Sequence, residues 1–193
     1  MSTGDFDAIV LAGGSASRMG GADKPMLDVA GTPMLRLVLD AVLGARVRVV
    51  VGPVRDIAGV TWCQESPPGG GPVAAITAAL PRVGADVVVV LAADLPWIGP
   101  AIAPLRTALD RSGADVAMLS SGGRLNYLAA AWRRSALVAA VHGLDDAAGA
   151  SMRRIVADAR IVEVPDAGHW GEDCDTWTDL ARAQQRHHER SYP

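Results

Sequence analysis

The segment Leu11-Ala12-Gly13-Gly14-Ser15-Ala16-Ser17-Arg18-Met19-Gly20-Gly21-Ala22-Asp23-Lys24 concentrates the residue types that could do chemistry. Its glycines permit positive φ and close approach, so several backbone N–H groups can converge on one anion. Arg18 offers a planar fork for phosphate, and Lys24 a mobile point charge. Together they suit a polyphosphate; the alternative reading is a tight turn with exposed bases. Two familiar phosphate loops fail on spacing. A Walker loop needs Gly, four residues, then Gly-Lys-Ser/Thr, and the dinucleotide fingerprint needs G-x-G-x-x-G; neither fits here. A kinase-type NTPase and a nicotinamide dehydrogenase are both demoted.

Three carboxylates could complete such a site. Asp94, in Ala92-Ala93-Asp94-Leu95-Pro96, follows an apolar run. There it could hold Mg²⁺, which favours one or two carboxylates plus substrate phosphates. The competing role is a helix cap, which Leu95-Pro96 pushes further along the chain. Asp175, in Asp173-Cys174-Asp175-Thr176, directly precedes a helix-like stretch, so it is a second metal ligand, an N-cap, or both. Glu65 is the one acid of the segment Gln64-Glu65-Ser66-Pro67-Pro68-Gly69-Gly70-Gly71-Pro72. Its acceptor-only carboxylate could pair with the two adjacent donors of a guanine edge, a pair cytosine lacks, or it could simply be solvated. His142, His169, His187 and His188 show no metal-ligand spacing, and Ser15 and Ser17 have no evident His partner for hydrolase chemistry. Cys63 reads as a small core residue, and the five tryptophans as core or helix-face residues.

Short buried strands must position these groups. The runs 8–12, 47–51 and 87–93 are apolar on both faces and end in turn residues, as in strands of a parallel sheet. Val60 to Cys63, Asp115 to Leu119, Tyr127 to Trp132 and Ala159 to Val164 read as further strands. Helical spacing places Leu35, Val38, Leu39 and Val42 on one face of 34–43, and helices are also expected over 72–80, 100–110 and 176–185. The alternation predicts an α/β, Rossmann-like architecture: a mostly parallel, doubly wound sheet with helices on both faces. Ligands of such sheets sit beyond the carboxyl ends of strands, where the glycine segment and Asp94 fall.

Composition narrows the function. The 193 residues are 50% hydrophobic and 20% charged, with a net charge of −3. One domain over 1–193 is expected, with 187–193 as a loose tail. The slightly acidic balance, without a Lys/Arg cluster, argues against a nucleic-acid partner. Cys63 and Cys174 are far apart and form neither a CxxC pair nor a disulfide framework. The acidic Met1-Ser2-Thr3-Gly4-Asp5-Phe6-Asp7 start is unlike a signal peptide, and no apolar run approaches the ~18 residues of a membrane span. A cytoplasmic protein with no membrane partner is expected.

The signature LAGGSASRMG-GADK from Leu11 to Lys24 resembles LAGG-x-S-x-RMG…K of the molybdenum cofactor nucleotidyltransferases. ESPPGGGPVAAI from Glu65, AADLP from Ala92 and DCDT-WTDL from Asp173 follow in that family's order, so the resemblance spans most of the chain. It is most similar to the guanylyltransferase branch, which moves GMP from GTP onto molybdopterin and releases pyrophosphate. The resemblance implies a nucleotide-diphospho-sugar transferase type of Rossmann-like fold and an Mg²⁺-dependent mechanism. It also leaves room for proteins that deliver or accept the molybdenum cofactor. Matched by position, Leu11, Ala12 and Gly13 line the base and sugar. Gly14 marks the GTP-using LAGG form against the LAAG of CTP users. Ser15 belongs to the same nucleotide loop, and Arg18 and Lys24 meet phosphate. Glu65 contacts guanine and Asp94 is the metal ligand; Asp175, placed by the residue reading alone, could share the metal. Gly52 stands where the family often has Asn, Pro72-Val73-Ala74-Ala75 where it often has PLAG, and Asn126-Tyr127 near a frequent His-Pro pair. The same chemistry with CTP, or with a sugar phosphate or phospholactate acceptor, is the alternative. A silent nucleotide-binding domain is a second.

Overall fold

The computed structural model describes residues 6–14 and 20–191, the last five of these by their backbone alone. The elements are β1 (Phe6–Leu11), β2 (Asp28–Val29), β3 (Thr32–Pro33), α1 (Met34–Ala41), β4 (Arg48–Val51), β5 (Thr61–Cys63), α2 (Gly71–Ala79), β6 (Val87–Ala92), α3 (Ile102–Ser112), β7 (Val116–Ser121), β8 (Arg124–Arg133), α4 (Arg134–His142), α5 (Met152–Val156), β9 (Ile161–Pro165) and α6 (Trp177–Ser191). A seven-stranded sheet in the order β5-β4-β1-β6-β8-β7-β9 forms the centre. All its strands but β8 run the same way, so the mostly parallel α/β sheet expected from the apolar runs is present.

Strand alternation explains how both faces are covered. Along β1, Ala8 and Val10 pack against Leu35, Val38 and Leu39 of α1 and Leu105 and Leu109 of α3. Ile9 and Leu11 point the other way, toward Val73 and Ile76 of α2, Leu137 of α4 and Ile155 of α5. Period-two side chains from one strand thus feed two cores, which is why β1 has no polar face and its six residues are all buried. A third, smaller cluster ties Met34 and Val29 to Leu180 and Ala183 of α6.

The reversed strand has a local cause. Ser121 and Arg124 are joined by Gly122 and Gly123, with φ of 56° and 75°. Positive φ at both central positions is the two-residue hairpin turn that matches the twist of antiparallel strands, and glycine adopts it without strain. β8 is therefore antiparallel to both β6 and β7. The helix α4 follows β8 without a break and buries Leu137 and Val141, one turn apart. Neither α4, the one-turn α5 nor the β2–β3 hairpin was expected from sequence. The closing helix runs through Ser191, into the stretch read as a tail. Among the described residues, no helix is long and apolar enough to cross a membrane.

Candidate functional site

The exit of β1 lies between two neighbouring strands at their carboxyl ends. The Ala12 amide donates to the Val51 carbonyl (2.8 Å), and the Ala93 amide donates to the Leu11 carbonyl (2.9 Å). Gly13 and Gly14 then leave the sheet, Gly14 with φ of 117°. Gly52, just past β4, passes directly beneath this exit. A Cβ there would stand 2.8 Å from both the carbonyl carbon and the oxygen of Ala12, and its φ is 145°. No side chain fits, so an Asn at this position is incompatible with this close crossing. Ser15 and Arg18 lie outside the described residues.

Lys24 gathers the acids. Its Nζ donates to Oδ2 of Asp94 at 2.5 Å and to Oδ1 of Asp175 at 2.5 Å. Burial opposes the Lys24 charge more than any other single influence. The bonds to Asp175 and Asp94 and the charges of these two acids together outweigh it, and the ammonium pKa is raised. Asp175 is not the helix cap. That role falls to Thr176, whose Oγ1 accepts from the Asp179 amide (3.2 Å) while Asp179 Oδ2 accepts from the Thr176 amide (2.8 Å). This reciprocal box satisfies the first turn of α6 and leaves Asp175 turned to Lys24. Asp94 is not a cap either, since α3 begins at Ile102. Its Oδ1 is buried and, among the described residues, has no hydrogen-bond partner.

An unpartnered buried carboxylate oxygen is costly, of order 1–3 kcal/mol or more for a charged group, and asks for a ligand. Two acids, one with a vacant oxygen and both already holding a cation, fit a hard divalent ion that takes its remaining ligands from phosphate and water. Among the described residues no group of three or more His, Cys, Asp or Glu forms an all-protein metal cage, and the histidines supply no ligand cluster. Nearby Asp173 has its pKa raised, first by burial and then by the charges of Asp175 and Asp94.

Asp94 stands where two clefts meet. One, of about 740 Å³, is lined by Leu11, Gly13, Gly14, Gly52, Glu65, Gly69, Pro72 and Asp94 among others. The second, of about 990 Å³, opens on the other side of β6 and is lined by Asp94, Ser121, Arg124, Asn126, Tyr127, Met152 and Asp173. A small cavity of about 120 Å³ between Gly13, Gly14, Lys24 and Asp94 adjoins them. Glu65 reaches the first cleft, with Oε1 accepting the Gly69 amide at 3.0 Å. Asn126 spends both ends of its amide on the backbone of Gly171 and Leu128, which fixes the wall rather than facing a ligand. Cys63 is partly buried and packs against the core, not within it, and Cys174 is buried with its thiol pushed up to about 12, chiefly by burial.

Every described residue proposed from the sequence to bind nucleotide or metal, except Ala12, thus lines these clefts or joins the Lys24 cluster; Ala12 is buried at the β1 exit. Three others were missed. Asp173 borders Asp94 and is distinguished in sequence only by its neighbour Asp175. Arg124 owes its place to the diglycine turn, a signal that was available. Arg55 lies after β4, in no motif that spacing reveals, and donates to Asp23 and the Ala12 carbonyl.

Known proteins share the sequence pattern and the fold. A "Probable molybdenum cofactor guanylyltransferase" of Natronomonas pharaonis is 29% identical over 95% of this chain and 98% of that one. The crystal structure of molybdopterin-guanine dinucleotide biosynthesis protein A from Archaeoglobus fulgidus superposes with a TM-score of 0.73 at 22% identity, covering 95% of this chain and 99% of that one. The 2-C-methyl-D-erythritol 4-phosphate cytidylyltransferase of Thermus thermophilus shares the fold at a TM-score of 0.70 and 18% identity, covering 96% and 98%. The model of the MobA-like NTP transferase domain matches residues 8–164, and the chain belongs to that family.

Proposed function

We propose that this protein transfers GMP from GTP to the phosphate of molybdopterin or the molybdenum cofactor, releasing pyrophosphate. The observation that carries this reading is Asp94. It stands on the wall shared by two clefts, one carboxylate oxygen held by Lys24 and the other without a partner among the described residues. A nucleotidyl transfer needs such a layout, with donor on one side, acceptor on the other and charge neutralisation between them.

The cleft bounded by the β1 exit and Glu65 takes the nucleotide. Gly52 lets the base and sugar lie against bare backbone, and Glu65 accepts from the two adjacent donors of guanine. Lys24, close to Gly13 and Gly14 around the small cavity, meets the phosphates as they enter. Ser15 and Arg18, on the same glycine segment, extend that reading toward the triphosphate. Asp94 and Asp175 would hold Mg²⁺, which, when bound, supplies positive charge at the α-phosphate. The acceptor lies in the second cleft, where Arg124 offers a cation and Tyr127 an aromatic edge. An acceptor phosphate oxygen attacks the α-phosphorus in line, the α–β bridging bond breaks, and pyrophosphate departs. The acceptor is already ionised, so no general base is needed, and catalysis is positioning and electrostatics.

The reading is tested by pyrophosphate release from each of the four nucleoside triphosphates with Mg²⁺, with and without molybdopterin. Release with GTP that depends on molybdopterin supports it. Equal or greater release with CTP, or release unaffected by the acceptor, overturns it. Glu65→Gln should lower the GTP-to-CTP preference, and an unaltered ratio removes Glu65 from base choice.

A further inference from the structure

A single guanidinium closes the two ends of the glycine segment. Arg55 donates from Nε to Asp23 Oδ2 (2.9 Å) and from Nη2 to Asp23 Oδ1 (2.6 Å), a bidentate fork. The same Nη2 reaches the Ala12 carbonyl (3.2 Å), and Nη1 reaches the carbonyl of Pro53 (3.1 Å). Ala12 is the residue at which the chain leaves β1, and Asp23 immediately precedes Lys24. Arg55 therefore fastens the beginning and the end of the segment to the β4 exit.

Two facts separate this contact from an ordinary surface ion pair. The Arg55 side chain is only 10% exposed, so the guanidinium is fixed by packing although its partner Asp23 is 53% exposed. It also engages the Ala12 carbonyl, against whose backbone a Cβ on Gly52 would stand at 2.8 Å. Neither Arg55 nor Asp23 lines the clefts. Its contribution must pass through the atoms it fixes: the Ala12–Gly13 turn on one side and the Lys24 backbone on the other.

We infer that Arg55 is a positioning residue that, with Asp23, holds the phosphate-binding turn and Lys24 in register with the Asp94–Asp175 pair, and so sets triphosphate affinity. This rests on the nucleotide-site reading above. A lysine cannot replace it, because one ammonium lacks the planar fork that spans both Asp23 oxygens and the Ala12 carbonyl. Ordering the turn in advance lowers the entropy lost when the triphosphate binds, so the loss should appear first in affinity.

The experiment compares Arg55→Lys, Asp23→Asn and the double variant, with Arg160→Lys as control. Arg160 makes an equally bidentate pair with Asp115, far from the clefts (2.8 and 3.1 Å). GTP with Mg²⁺ is titrated by calorimetry, and kcat and KM are measured separately. Each single variant should weaken GTP binding about tenfold, the size of a lost charge-assisted fork, with a smaller change in kcat. The double variant should be no worse than the worse single, and Arg160→Lys should bind as wild type. Hydrogen exchange of the ligand-free proteins tests the fastening itself: amides of 11–14 and 20–24 should exchange faster in Arg55→Lys, and those of 116–133 should not. Unchanged exchange there, wild-type GTP affinity in Arg55→Lys, or multiplied effects in the double variant would overturn the inference. If the wild-type protein fails to bind GTP while exchange responds as expected, the clamp stands and its nucleotide role falls with the proposed function.

Discussion

Asp7 and Asp94 sit at opposite ends of the same part of the sheet, and they are treated in opposite ways. Asp7, second residue of β1, is fully buried, and its carboxylate is saturated. Oδ2 accepts the amides of Gly84 (2.6 Å) and Ala85 (2.7 Å), and Oδ1 accepts that of Val47 (3.2 Å). Those amides precede β6 and β4, so one buried charge stitches together three strand entrances. Asp94, two residues past β6, has one oxygen on a lysine and the other without a partner among the described residues. A parallel sheet can afford a fully satisfied acid where its strands begin, because no connection there has to receive a ligand. Where they end, the divergent loops leave room, and an acid left short of partners is poised to take one.

The largest effect that would sharpen this contrast is on turnover. Asp94→Asn should lower kcat about 10³-fold, roughly 4 kcal/mol, if its oxygen meets charge that develops on the phosphates. Its melting temperature should stay within a few degrees, since weakening the Lys24 ion pair and relieving the cost of an unpartnered buried carboxylate oppose each other. Asp7→Ala should do the reverse. Three amides lose their acceptor, and a loss of about 3 kcal/mol, or roughly 6–12 °C in melting temperature, is expected with kcat per folded molecule unchanged. An Asp7 variant that melts normally but is inactive would break the comparison outright. A smaller effect is expected at Lys24. In Lys24→Met, the acids lose the cation that bridges them, so Mn²⁺ followed by electron paramagnetic resonance should bind the nucleotide-free protein about tenfold more tightly than wild type, ~1.4 kcal/mol. Equal or weaker Mn²⁺ binding would mean that Asp94 and Asp175 do not face a common ion.

The same two acids show what sequence reading can and cannot reach. Asp94 was legible because an apolar β-branched run ends just before it and Leu95-Pro96 delays any helix. Asp175 was ambiguous, and only the reciprocal bonding of Thr176 and Asp179 decides between cap and cleft. Asp7 was read merely as an acid that argues against a leader peptide; its partners lie in residues 40 and 77–78 positions away, which no local pattern announces. Arg55 is hidden for the same reason, since its value comes from the crossing of β1 and β4. The strands and the first helices followed from periodicity, but the direction of β8 turned on Gly122-Gly123, a hairpin signal overlooked beside the more conspicuous glycines of 11–24.

An orphaned polar atom is not by itself a sign of function, and Trp132 supplies the control. Its indole is fully buried on β8, between Val88 and Val116 in the sheet register, and its Nε1 has no partner among the described residues. It lies in the core beneath α4, away from both clefts, and carries no formal charge. Replacing it by phenylalanine removes an unsatisfied donor and some packed volume at once. These terms oppose each other at about 1–3 kcal/mol apiece, so Trp132→Phe should shift stability by less than ~1 kcal/mol and leave GTP affinity and kcat untouched. Thermal melting and one kinetic titration decide it. A Trp132→Phe protein with normal melting but altered turnover would show that the unpartnered atom in the core is coupled to the site, and the distinction drawn from Asp94 would then rest on exposure to the clefts alone.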